Sequence, residues 1–225
     1  MTMRLERRTL LGMMAASLLP FAGCTATGNK RSTRTESDRA SETLVGIDYV
    51  QPLYNEPYFV PGIRPGTLPE KFQRHVVANA TGHPPGTIVV NTSKFFLYLV
   101  QPDGRAIRYG IGIGRDGFGW KGEAVVGAKR EWPNWRPPNE MVQRDPHLQP
   151  FASEPGGLPG GTNNPIGARA LYLYQNGRDT LYRIHGATEA ESIGAEVTSG
   201  CVRMLNVDVI DLYNRVPVGA KVVVL

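Results

Sequence analysis

Cys201 and His185 are the two side chains whose types and spacing suit making and breaking an acyl bond. Cys201 lies in Thr198-Ser199-Gly200-Cys201-Val202-Arg203-Met204, downstream of Ile184-His185-Gly186. A thiol is a poor nucleophile until it loses its proton. Free cysteine has a pKa of about 8.5, and a neighbouring histidine is expected to lower it by several units. His185 would accept that proton and later return it to a leaving amine. Gly186 has no side chain, so its carbonyl is expected to approach and orient the imidazole, as a carboxylate does in other triads. Ser199-Gly200-Cys201 reads as a turn in which Gly200 permits unusual dihedrals. Such a turn aims consecutive backbone N–H groups at one point, the requirement for an oxyanion pocket. Arg203 is suited to a substrate carboxylate through its forked donors.

The chain holds only two cysteines. The other, Cys24, closes an N-terminal segment that reads as an export signal. Arg4, Arg7 and Arg8 form a basic front end, Leu10 to Ala22 is an apolar run, and small residues lead to Cys24. The run is short of the roughly 20 apolar residues that cross a bilayer. Phe21-Ala22-Gly23-Cys24 resembles a lipobox, with phenylalanine where leucine is usual, so Cys24 is expected to carry lipid. Arg7-Arg8-Thr9-Leu10-Leu11 also resembles a twin-arginine signal. The expected location is the periplasm, on a membrane-anchored lipoprotein, with the outer membrane favoured. An oxidising compartment makes a lone unpaired thiol a hazard unless it has a task.

Residues 1–24 are thus assigned to the signal. Residues 25–43, rich in Ser, Thr, Arg and Asn, are assigned to a disordered linker. Residues 44–85 are proline-rich, and Tyr49, Leu53, Tyr54, Tyr58 and Phe59 suggest an extension that packs on the main domain, with a short helix near Glu70–His75. From Gly86 to Leu225 short β runs dominate: Thr87–Asn91, Phe95–Val100, Ala106–Ile113, Ala124–Lys129, Ala170–Tyr174, Tyr182–Ile184 and Ala220–Val224. One helix is expected. Asn206 would cap it, Asp208 sits in its first turn, Val209, Ile210, Leu212, Tyr213 and Val216 form its apolar face, and Asp211 pairs with Arg215. The fold class is mainly β with little helix, a single domain with an N-terminal extension. The formal net charge is +5. No Lys/Arg stripe alternates with aromatics, so no nucleic acid is expected.

His185-Gly186, Ser199-Gly200-Cys201-Val202-Arg203-Met204, Asn206-Val207-Asp208-Val209-Ile210-Asp211-Leu212-Tyr213 and Val216-Pro217-Val218-Gly219 together resemble the signature of the L,D-transpeptidase (YkuD-type) family. The likeness runs back through Asn164-Pro165-Ile166-Gly167 to Gly86-Thr87-Ile88-Val89-Val90, covering residues 86–225. It implies a β-sandwich catalytic domain acting on peptidoglycan stem peptides. Cys201 would be the nucleophile, attacking the bond between a diamino acid and the D-alanine after it. His185 would be the base and the Gly186 carbonyl its orienter. Backbone N–H groups of Ser199, Gly200 and Cys201 would form the oxyanion pocket, with Thr198 and Arg203 at the substrate. Ser199 stands where many members have a second histidine.

Two alternatives accompany this reading. An L,D-carboxypeptidase or hydrolase would resolve the same thioester with water. An inactive wall-binding lipoprotein would keep the scaffold alone; the intact His185 and Cys201 argue against it. Trp132 and Trp135, among prolines, are candidates for a substrate platform, and Pro155–Asn164 for a loop over the cleft. Gly112-Ile113-Gly114-Arg115-Asp116-Gly117 fits G-x-G-x-x-G, but no helical pattern follows it, so a glycine-rich turn is the better reading. Zinc needs three or four ligands. His75, His83, His147, His185 and Cys201 have no tight ligand spacing, so neither metal nor cofactor is expected.

Overall fold

The computed structural model describes residues 43–44, 46–114, 120–153, 155–197 and 201–225. The expected signal, the expected lipidation site at Cys24 and nearly all of the expected linker fall outside them, as do Thr198, Ser199 and Gly200. Among the described residues, twelve strands form one sheet: β1 (Thr43–Leu44), β2 (His75–Ala78), β3 (Ile88–Asn91), β4 (Phe96–Val100), β5 (Arg105–Gly110), β6 (Gly112–Gly114), β7 (Gly122–Glu131), β8 (Arg169–Gln175), β9 (Arg178–Ala187), β10 (Glu196–Val197), β11 (Val202–Leu205) and β12 (Lys221–Val224). Their spatial order is β1-β2-β5-β4-β3-β12-β7-β8-β9-β11-β6-β10. The α-helices among the described residues are α1 (Asn139–Arg144), α2 (Gln149–Ser153) and α3 (Asn206–Arg215). The domain is mainly β with little helix.

The sheet folds over a core to which both of its ends contribute. Ile88, Leu97, Ile107 and Tyr109 from one end pack in one cluster with Leu171, Ile184, Val202 and Met204 from the other. β3 and β12 lie in the middle, hydrogen-bonded on both edges and buried on both faces, which is why each is a continuous apolar run rather than an alternating one. The expected strand Ala106–Ile113 is in fact two. β5 belongs to one end of the sheet and β6 to the other, and Ile111 between them donates to the Phe95 carbonyl at 3.0 Å. The crossing requires glycine on both sides. A Cβ at Gly110 would meet the Phe72 carbonyl, and one at Gly112 the Ser192 carbonyl.

The 44–85 segment is built into this sheet. β2 pairs antiparallel with β5 (His75↔Arg108 through Ala78↔Arg105), and only a 3₁₀ turn, Glu70–Phe72, stands where a helix to His75 was expected. Two ion pairs of the buried Arg74 also tie the segment in. Arg74 Nε lies 3.2 Å from Asp208 and its Nη1 2.6 Å from Asp211, both on α3. Tyr49 Oη donates to Asp208, and Tyr109 Oη donates to Asp211 at 2.7 Å. Burial pushes the Asp208 carboxyl up to about 7 despite the Arg74 charge beside it. Glu56 bonds Arg169 at 2.8 Å and accepts Trp132 Nε1–H at 3.0 Å. The Asp211–Arg215 pair forms as expected. The C-terminal carbonyls of α3 are satisfied by Lys129 Nζ, which donates to Tyr213 and Val216 at 2.6 Å each.

Candidate active site

β9 and β11 run parallel in the register Val202↔Ile184, Arg203↔His185, Met204↔Gly186, Leu205↔Ala187. Cys201 precedes β11 by one residue, so it falls alongside Arg183. Residues two apart on a strand point the same way. Cys201, Arg203, Arg183 and His185 therefore share one face of the sheet. Cys201 and His185 stand on a diagonal, a separation of roughly 7–8 Å between backbones that side chains can narrow. The Gly114 N–H holds the Cys201 carbonyl at 3.1 Å, fixing the chain just before β11. No hydrogen bond joins the ring to the thiol among the described residues. Catalytic hydrogen bonds in unliganded sites are often long and tighten around substrate.

His185 is inside β9, not beyond a shorter strand. It is buried, and its Nδ1 lies 2.7 Å from the Gly186 carbonyl. A carbonyl only accepts, so Nδ1 carries the hydrogen and Nε2 is left to receive a proton. Gly186 is held on three sides. Its N–H donates to the Ile166 carbonyl at 3.1 Å, its carbonyl takes the imidazole, and its Cα packs on Asn206 Oδ1 so closely that a Cβ would collide with it. Asn206 is not the α3 cap; Leu205 occupies that position. The Asn206 side chain instead accepts the Ala168 N–H at 2.8 Å. The helix start thereby clamps the part of β9 whose Gly186 carbonyl orients the imidazole.

Burial holds His185 down at about 4, with the Arg203 charge adding to the effect, against the Gly186 and Ile166 carbonyls and Glu189, which favour the imidazolium. Burial also raises the Cys201 thiol above its ordinary value; the Arg183 backbone N–H and the Arg183 and Arg203 charges pull the other way without overcoming it. The expectation of a thiol already acidified by histidine is corrected here. Both groups rest neutral, because neither is solvated well enough to carry charge alone.

Arg203 is half-buried and lines a cavity with Asn163, Asn164, Pro165, Thr188 and Glu189. Trp132 is corrected as a substrate platform. It is buried, packs with Val60 and Ala168, meets the Tyr58 ring at a tilt with centroids 5.1 Å apart, and spends its N–H on Glu56. Trp135 is half-buried and bridges Leu158 through both backbone groups at 2.7 and 2.8 Å. The Pro155–Asn164 loop is pinned accordingly, with Asn164 Nδ2 donating to the Pro133, Leu158 and Pro159 carbonyls. The Glu56 and Asn206 contacts gave no sequence signal, because their partners are remote in the chain.

The fold and these contacts define a β domain that presents a carbonyl-anchored histidine and a cysteine on one sheet face. Residues 85–224 match the YkuD family model, the L,D-transpeptidase catalytic domain. The chain belongs to that family. It is 37% identical over 147 residues to Probable L,D-transpeptidase ErfK/SrfK of Escherichia coli, covering 61% of this chain and 43% of that protein. It is also 37% identical over 144 residues to Probable L,D-transpeptidase YbiS of the same organism, covering 60% and 43%. The chain thus spans less than half the length of these relatives. A solved Brucella melitensis structure, described as a probable carnitine operon oxidoreductase, covers 71% of this chain and 97% of that one at 48% sequence identity, with a TM-score of 0.49.

Proposed function

We propose that the protein is an exported L,D-transpeptidase that acts on peptidoglycan stem peptides through a thioester on Cys201. The observation that carries this reading is the 2.7 Å contact between His185 Nδ1 and the Gly186 carbonyl on the sheet face shared with Cys201, within a chain of the YkuD family. That contact leaves Nε2 as the proton acceptor. As substrate enters, the Sγ proton moves to Nε2 and the thiolate attacks the carbonyl between the diamino acid and D-alanine. The charge on the carbonyl oxygen falls to the backbone N–H groups of Ser199, Gly200 and Cys201, a role that rests on the family likeness; one such donor contributes roughly 3–4 kcal/mol. The imidazolium returns its proton to the leaving amine, D-alanine departs, and the thioester remains. An amine from a second stem, or from a protein, then attacks. Its proton passes to His185 and on to Sγ, and a 3→3 cross-link or a wall-attached protein results.

Residues 44–85 are part of the catalytic unit on this reading, and residues 1–24 direct export with lipid at Cys24. The test is D-alanine release from tetrapeptide stems, with intact-mass detection of the acyl-enzyme. Cys201→Ala should lose both. Continued D-alanine release from that variant would overturn the proposal. Muropeptide mass spectrometry separates cross-linked dimers from the trimmed monomers that a hydrolase would leave.

A further inference from the structure

Among the described residues, four of the eight exposed large hydrophobic side chains lie close together in the chain: Val50, Tyr54, Tyr58 and Phe59. The proposed chemistry uses none of them. The loop that carries them is held in shape. Leu53 and Val60 bridge its base through both backbone groups at 3.0 and 3.4 Å. The Tyr58 ring leans on the buried Trp132, and the Tyr54 and Phe59 rings meet with centroids 5.7 Å apart. Tyr54 is 79% exposed, so its ring is displayed rather than packed away. Clustered apolar side chains left in water mark a partner surface, and a fixed backing reduces the ordering lost on binding.

Place and charge identify the partner. Thr162 donates its hydroxyl to the Phe59 carbonyl at 2.8 Å, and the next residues, Asn163 and Asn164, wall the cavity that Arg203 lines. At the loop's base, Leu53 and Val60 line one small cavity with Ala187 and Thr188, at the end of β9. The patch therefore adjoins the rim of the cleft, where the polymer that carries a stem peptide must lie. Among residues 50–62, Glu56 is the only charged one, and its carboxylate is taken by Arg169 and Trp132. An anionic lipid surface would find no lysine or arginine there. A neutral sugar needs none. The C–H face of a pyranose packs on an aromatic ring, and its hydroxyl and acetamido groups suit tyrosine hydroxyls and the exposed Gln51 and Asn55 amides. We propose that the Tyr54–Phe59 patch binds the N-acetylated glycan backbone from which the stem peptide hangs. This rests on the transpeptidase reading for the source of the polymer; the sugar sits outside the cavity beside His185.

Two donors with the same tetrapeptide test it, one free and one carried on N-acetylglucosamine–N-acetylmuramic acid repeats. The wild type should favour the glycan-borne donor by about fivefold or more in kcat/KM for D-alanine release, mostly through KM, the scale of one or two ring contacts. Tyr54→Ser combined with Phe59→Ser should erase that preference and leave the free donor unchanged. Tyr54→Trp, which keeps a ring, should retain it. Equal use of the two donors by an active wild type overturns the inference, and so does a loss in the double variant shared by both donors. If the double variant does not fold, Tyr54→Ser alone decides, since that side chain is displayed to solvent. Peptide-free glycan chains separate this inference from the reading beneath it. Cys201→Ala should bind them in calorimetric titration as the wild type does, and the ring variant should not. Ring-dependent glycan binding with no D-alanine from either donor would defeat the transpeptidase reading and keep the patch; D-alanine release without glycan binding would do the reverse. Ring-dependent sedimentation with phosphatidylethanolamine–phosphatidylglycerol vesicles, or ring-dependent dimerisation, in place of glycan binding would give the patch to a membrane or a second copy and overturn the inference.

Discussion

Moving a proton from Cys201 to His185 creates two charges in surroundings that resist both. The charged pair must then be stabilised by its own attraction, by the Gly186 carbonyl on the imidazolium and by substrate closing off water. His185 accepts a proton only while neutral, and a folded value of about 4 keeps it neutral far into acid. The acid limb of kcat/KM should therefore fall near pH 4, not near the ordinary histidine value of about 6.5. A limb at the ordinary value would show that the imidazole is not buried as described. The raised thiol makes a companion expectation. Iodoacetamide should alkylate Cys201 at pH 7 more slowly than a free cysteine, with the rate climbing only as pH passes the ordinary thiol value of about 8.5. Cys201 and His185 were legible in the sequence as candidates because short motifs carry residue types directly. Their resting charge was not, since desolvation depends on what packs around them.

At the level of elements, the clamp between α3 and the end of β9 does the positioning. Asn206→Ala would leave the Ala168 N–H buried without its acceptor, costing about 1–3 kcal/mol of stability. It would also loosen the hold on Gly186 in β9. We expect kcat to fall about tenfold or more with KM little changed, since misorientation of a catalytic group costs rate rather than binding. Steady-state kinetics beside urea unfolding checks both, and a stability loss with unchanged kcat would remove Asn206 from the positioning role. Gly186→Ala should be more severe, because its Cβ enters the space held by the Asn206 oxygen. The strands near Ile88, Phe96 and Val222 were legible from apolar runs bounded by turns. The split at Ile111 was not, because Ala106–Ile113 keeps one β pattern while changing partners. Asn206 looked like a cap for the same reason: its type fits that role, and only the fold brings Ala168 to it.

The whole molecule shows why residue 85 is a poor place to cut. β2 covers the outer edge of β5, and Arg74 neutralises two carboxylates on α3. Arg74→Ala should destabilise the fold by about 3–5 kcal/mol, the usual cost of stripping one partner from a buried pair. Chemical denaturation measures it, and a loss below 1 kcal/mol would mean that water reaches the acids. A chain begun at Pro85 would bare the β5 edge and should aggregate. The sequence change at Gly86 marks where regular strands begin, which is not the same as where the packed unit begins; Tyr49, Glu56 and Arg74 reach partners far along the chain, and no local pattern records that.

The seating of Lys221–Val224 between Ile88–Asn91 and Gly122–Glu131 has a temporal consequence. During synthesis both flanking strands are made long before the piece that joins them, so the two ends of the sheet wait as unfinished edges until Val224 leaves the ribosome. Assembly is then governed by contacts distant in sequence, which are slow to find. A nascent chain halted before that point should remain protease-sensitive throughout, however much of it has already been translated.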